Sequence, residues 1–214
     1  MHRRALLLVP LLGAVPAVAQ TVRGSGVAKT ETRTLAPFDR VDVAGSFEVT
    51  LVDGPAHKVM VEADDNLLDA VSTDVSPNNE LRISSLRSFV SRSPMKVTVE
   101  SPQQRGVTVS GTGRVIAAAL HGPSFTFGGS GSSTAKLGGS MEFLKISLAG
   151  SGKVDALDLV ADKVEVEVVG SGTAEVHAVK SLTLMVIGSG TVLYRGDPKI
   201  SRNAIGRGKV EQVK

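Results

Sequence analysis

The chain has 214 residues, enough for one good-sized domain or one elongated solenoid. Glycine is abundant (23 residues), aromatic residues make up only 3%, and Trp and Cys are absent; stacked small and aliphatic side chains fit this better than a helical globule or an aromatic-lined carbohydrate cleft. The lack of Cys excludes a disulfide framework, a thiolate metal site and a thiol nucleophile, and a formal net charge of +3 without a basic, aromatic-interleaved patch leaves no footprint for nucleic acid.

Residues 1–19 are predicted to be a secretory signal peptide. His2, Arg3 and Arg4 form a basic start, Ala5 to Val15 an apolar run, and Ala17-Val18-Ala19 an A-x-A site with cleavage after Ala19. The apolar run is short and broken by Pro10, Gly13 and Pro16, unlike a membrane anchor, and no later stretch stays apolar for ~18 residues. Cleavage leaves 22 basic against 21 acidic side chains, a nearly neutral protein. With no Cys to carry a lipid, it is expected to be exported: periplasmic, outer-membrane-associated or extracellular.

Residues 20–105 form an N-terminal strand region. Gly24-Ser25-Gly26 opens a polar stretch that ends at Phe38. Short strands are then predicted over Arg40–Val43, Ser46–Val52, His57–Glu62, Glu80–Ser84 and Met95–Glu100, where apolar and polar residues alternate. Asp64 to Val71 is expected to form a helical turn or two, with Glu62, Asp64, Asp65 and Asp69 placed where a helix dipole favours acids. Ser76-Pro77-Asn78-Asn79 reads as a turn and Arg87 to Pro94 as an exposed loop. No α-helix of normal length is expected.

Residues 106–214 repeat one phrase. Gly111-Thr112-Gly113, Gly129-Ser130-Gly131, Gly150-Ser151-Gly152, Gly170-Ser171-Gly172, Gly188-Ser189-Gly190 and Gly206-Arg207-Gly208 begin 18, 21, 20, 18 and 18 residues apart. Ahead of them stand Val107 and Val109, Phe125 and Phe127, Ile146 and Leu148, Val166 and Val168, and Leu184 and Val186, each pair separated by one residue. That period of two marks half-buried strands. Val115, Val154, Ala174, Val192 and Val210 resume the pattern four residues beyond the first glycine of their phrases. Strand, glycine corner, strand and second turn make a coil, so the fold class is all-β: a right-handed parallel β-helix of about five to six coils, which the N-terminal strands begin or cap. The glycines are read as structural corners, where the chain needs backbone angles closed to residues with a Cβ. Ser130, Ser151, Ser171 and Ser189 are read as corner chemistry, their hydroxyls satisfying nearby backbone.

The order of these elements carries a resemblance. Gly24-Ser25-Gly26, Phe38-Asp39-Arg40-Val41-Asp42-Val43, Phe47-Glu48-Val49-Thr50-Leu51, Asn66-Leu67-Leu68, Leu81-Arg82-Ile83 and the Gly-Ser-Gly series together resemble the GIN domain, the "putative auto-transporter adhesin" head domain, over residues 24–213. The resemblance implies a secreted or cell-envelope β-helical protein, and it carries over no catalytic, metal or cofactor residues.

The residues themselves name no chemistry either. Gly128-Gly129-Ser130-Gly131-Ser132-Ser133 starts like a calcium-binding nonapeptide but has Ser133 where the ligating Asp belongs. No glycine run completes G-x-G-x-x-G, a P-loop or G-x-S-x-G. His57, His121 and His177 lack metal-ligand spacing, and His177 reads as a solvated surface residue. Arg195-Gly196-Asp197 precedes Pro198 and reads as a turn. The expected function is therefore a non-enzymatic, adhesin-like binding or scaffolding module. It would contact a polysaccharide or protein surface of the cell envelope. The rivals are a carbohydrate-active enzyme on the same scaffold and a structural assembly subunit.

Overall fold

The computed structural model describes residues 21–213, so the expected signal peptide lies outside the described residues. In chain order the strands are β1 (Val22–Arg23), β2 (Ala28–Thr34), β3 (Arg40–Ala44), β4 (Glu48–Asp53) and β5 (Lys58–Asp64). A 3₁₀ helix (Asp65–Ala70) leads to β6 (Val71–Val75), β7 (Glu80–Ser85), β8 (Phe89–Val90), β9 (Lys96–Ser101) and β10 (Gly106–Gly111). Four long strands follow, β11 (Arg114–Gly131), β12 (Thr134–Gly150), β13 (Lys153–Gly170) and β14 (Thr173–Gly188), then β15 (Thr191–Arg195), β16 (Lys199–Gly206) and β17 (Lys209–Gln212). With 72% strand and 3% helix the chain is a β-solenoid of about five turns, the class its alternation predicts.

Each long strand rounds two sides of a coil. Its last residues pair in parallel with the end of the next long strand, and its first residues with the next one's start. The interior is a set of aliphatic ladders. One runs Val41, Val107, Phe127, Ile146, Val166, Leu184, each beside the next in register and all buried. On the second face Val49, Val115, Ala135, Val154, Ala174 and Val192 stack the same way. β-branched residues dominate because their stiff χ1 suits the pleated surface, and stacked coils bury them against like neighbours. All ten residues expected to form the inward ladder are buried.

The second repeat is registered differently from the sequence expectation. Gly131, not Gly129, pairs with Gly111 and Gly150, so this corner reads Gly131-Ser132-Ser133. Val107 consequently lies beside Phe127, Val109 beside Gly129, and Phe125 joins Leu144. Ala135 takes the place that Val115 and Val154 hold in neighbouring coils.

The N-terminal strands both begin the solenoid and cap it. β3 and β4 are a true coil that turns at Gly45, whose φ of +128° matches the later corners. The chain then leaves this coil, builds β5 to β9, and returns to place β10 against the free side of β3. As a result β3 lies between β7 and β10, and β4 between β9 and β11. Beyond β7 and β9 the pairing turns antiparallel, through β6, β5 and β2. Ala28–Thr34 lies in the polar stretch for which no strand was predicted. It is instead the edge strand β2, and Arg33 fastens it by donating to the carbonyls of Leu68 (3.0 Å) and Val71 (2.6 Å). The helical stretch ends at Ala70, one residue short of expectation, and Val71 begins a strand.

Candidate functional site

The corner glycines occupy two positions. Gly111, Gly131, Gly150, Gly170 and Gly188 turn the chain at φ values of +115°, +89°, +118°, +117° and +111°. At Gly170 a Cβ would also stand 2.6 Å from the Gly150 carbonyl oxygen, so the stacked backbone closes the site from a second direction. Gly113, Gly152, Gly172 and Gly190 sit buried just past the turn, where the chain passes close to the core: a Cβ at Gly190 would meet Val168 Cγ1 at 2.5 Å. Gly129, expected at a corner, lies inside β11.

Backbone amides, rather than serine hydroxyls, hold the corners together. The N–H groups of Ser132, Ser151, Ser171 and Ser189 donate at 2.8–3.0 Å to the carbonyls of Gly111, Gly131, Gly150 and Gly170. Ser130 stands outside this column and donates its hydroxyl to Ser110 Oγ at 3.3 Å. The serine column is thus corner architecture, without a convergent set of side chains.

The acidic group splits up. Asp64 makes no cap bond to the 3₁₀ helix. Its buried carboxylate accepts from the Arg92 N–H (2.8 Å), Ser93 Oγ (2.8 Å), Ser91 Oγ (3.0 Å) and the Gly26 N–H (3.1 Å), stapling the N-terminal segment to the 91–93 loop. Led by the Arg92 bond, these donors outweigh burial and lower its pKa to about 2. Glu62 pairs with Lys96, Asp65 accepts from Ser25 Oγ at 2.5 Å, and Asp69 is exposed. Helix-start electrostatics is therefore not why Asp64 is there.

The other singled-out residues also lie apart. The His57 ring accepts the Phe38 N–H at 3.2 Å and packs edge-on against the Phe38 ring. His177 is half-buried in β14 rather than fully solvated. Arg195 ends β15, and Gly196-Asp197 lie in the connection to β16. Among the described residues no group of three or more His, Asp or Glu side chains is placed to hold a metal ion.

Two surfaces stand out. On the face before the corner, Ala149, Val169, Ile187 and Ile205 follow one another in register and all point outward. Val169 is 40% exposed, Ile187 37%, Ile205 60%, and Met185, two residues from Ile187, 42%. This apolar ladder crosses a face that elsewhere carries ion pairs such as Lys145–Glu165 (2.7 Å), where the carboxylate raises the lysine pKa. On the opposite side of the corner, a groove of about 300 Å³ opens between the end of β4, the loop after β9 and an irregularity in β11. There the pairing with β12 shifts register between Ala117 and Leu120, and Ala118 and Ala119 are exposed. Sequence reasoning found neither surface. The ladder is visible only once coils are registered, and the groove gathers residues from positions 50 to 121.

Closed glycine corners and a packed aliphatic interior define a β-solenoid protein. The chain belongs to the family described as "Putative auto-transporter adhesin, head GIN domain", whose model matches residues 37–198. Similar solved structures are a "putative adhesin" of Bacteroides fragilis NCTC 9343 (TM-score 0.74, 21% identity, 90% of this chain and 100% of that one) and a "putative adhesin" of Parabacteroides distasonis ATCC 8503 (0.61, 21%, 91% and 100%). A "putative lipid binding protein", also of Parabacteroides distasonis ATCC 8503, is similar at a TM-score of 0.62 and 22% identity, covering 91% and 100%. At these identities the structures share the fold. No curated protein matches. Among the described residues no helix is long and apolar enough to cross a membrane.

Proposed function

We propose that this is a non-enzymatic, exported, adhesin-like protein that contacts a polysaccharide or protein surface of the cell envelope through the faces of its solenoid. Residues 1–19 act as its signal peptide, 20–105 start and cap the solenoid, and 106–214 extend it. The corner glycines set the coil spacing and take no part in binding. The observation that carries this reading is the ladder Ala149–Val169–Ile187–Ile205, an exposed apolar stripe with no role inside the fold. Exposed apolar residues in contiguous order mark contact surfaces. Membership in an adhesin head-domain family supports the same role.

Co-sedimentation of the purified protein with isolated envelopes and with bacterial and host polysaccharides tests it. Saturable sedimentation that falls at least about fivefold in a Val169→Lys/Ile187→Lys variant supports contact through this face. Equal sedimentation of the variant moves the contact elsewhere. Binding to none of these surfaces removes the adhesin-like reading.

A further inference from the structure

The groove on the other face has a chemistry of its own. Leu51, Val52, Pro102, Ile116, Ala118 and Leu120 give it apolar walls. Gln104 also lines it, and its amide is committed, donating to the Val52 carbonyl at 2.7 Å so that the loop after β9 is tied to β4. The remaining polar groups are Thr50, Asp53 and His121. His121 Nδ1 lies 3.4 Å from the Ala119 carbonyl and Nε2 lies 4.0 Å from Asp53.

Charges at this end of the solenoid are mostly cancelled. Glu100, across the ladder from Val52, is held by Lys58 at 2.7 Å, and Asp39 faces Arg105 at 3.3 Å. Among the described residues the imidazole of His121 is the sole ion-pair partner of Asp53, at the outer limit of that contact. The mouth of an apolar groove therefore carries a carboxylate that no Lys or Arg among the described residues pairs with, and apolar walls focus its field.

We propose that this groove binds an aliphatic ammonium, its chain lying along Val52, Ile116 and Ala118 and its cationic head meeting Asp53. An anionic head would face the same carboxylate and be repelled, and a neutral head would leave that charge unanswered. The volume lies at the lower end of small-molecule sites, which fits a short chain better than a lipid tail pair. This goes beyond contact through the opposite face, and its test is independent of that reading.

The test is an NMR titration of the labelled protein at neutral pH with hexylammonium, hexanol and hexanoate, read at the Val52, Ile116 and Ala118 methyls. Hexylammonium should give saturable shifts there, hexanol should bind about fivefold more weakly, and hexanoate more weakly still. Asp53→Asn, at an exposed position, should reduce hexylammonium affinity to that of hexanol and leave hexanol unchanged. Equal binding of all three probes, an unaltered amine affinity in Asp53→Asn, or shifts at Val169 and Ile187 in place of the groove methyls would each overturn the proposal.

Discussion

Ser133 points its side chain into the space that Gly129 leaves empty. A Cβ at Gly129 would stand 2.6 Å from Ser133 Oγ and 2.9 Å from Leu148 Cδ2. Neighbouring coils place Val109 or Leu148 at the first position and Gly113 or Gly152 at the second. The second coil thus moves one inward side chain from one side of its corner to the other. Ser133 is fully buried and its hydroxyl has no partner.

Gly129→Ala should therefore destabilise by about 1–3 kcal/mol through overpacking. Part of that cost should vanish when Ser133→Gly is added, giving a coupling of about 1 kcal/mol in a double-mutant cycle. Additive urea midpoints would show that the two positions do not share the space. Ser133→Ala alone should be neutral or stabilising by up to about 1 kcal/mol, because it removes a buried polar group that bonds nothing.

Val168→Asp should lower stability by about 4 kcal/mol or more, since it buries an unpaired charge among Leu148, Val186 and the glycine corners. Retention of the parent melting temperature would falsify the inward placement of this column.

Gly170→Ala should cost about 1–3 kcal/mol, because the residue sits at φ +117° with a carbonyl where the methyl would go. Exposed Ser171→Ala, next in sequence, should change thermal unfolding little, since only its backbone amide joins the corner ladder. Similar losses for both would assign the corner a side-chain role.

Asp64 makes stability acid-sensitive in a defined window. Its folded pKa of about 2 lies below its ordinary value of 3.8, so its contribution is complete above about pH 4 and fades as pH falls toward 2. Asp64→Asn should be less stable than the parent at pH 7, and the gap in urea midpoint should close between pH 4 and pH 2. A gap of constant size across that range would show that the carboxylate charge is not what the staple uses.

Much of the solenoid is legible because a half-buried strand must alternate, and Val166-Glu167-Val168 or Ile146-Ser147-Leu148 do so plainly. The register of the second coil is not, because Gly129-Ser130-Gly131 imitates a corner while the next glycine-serine step makes it. β2 escapes notice because an edge strand facing water needs no apolar face. Asp64 looks like a helix-start acid from its neighbours in sequence, whereas its partners lie far off in the chain, Gly26 38 residues before it and Ser91, Arg92 and Ser93 27 to 29 residues after it. Local pattern reports period and propensity, and it is silent about contacts between distant loops.

The edge strand β16 changes the character of the ladder it joins. Arg202 continues the column Val41, Val107, Phe127, Ile146, Val166 and Leu184, and β16 pairs on one side only, with β14. A further strand laid on that edge would have to strip water from a guanidinium instead of covering an aliphatic group. At β16 the ladder that stacks coil upon coil thus trades an aliphatic group for an ion, which disfavours edge-to-edge pairing at that residue.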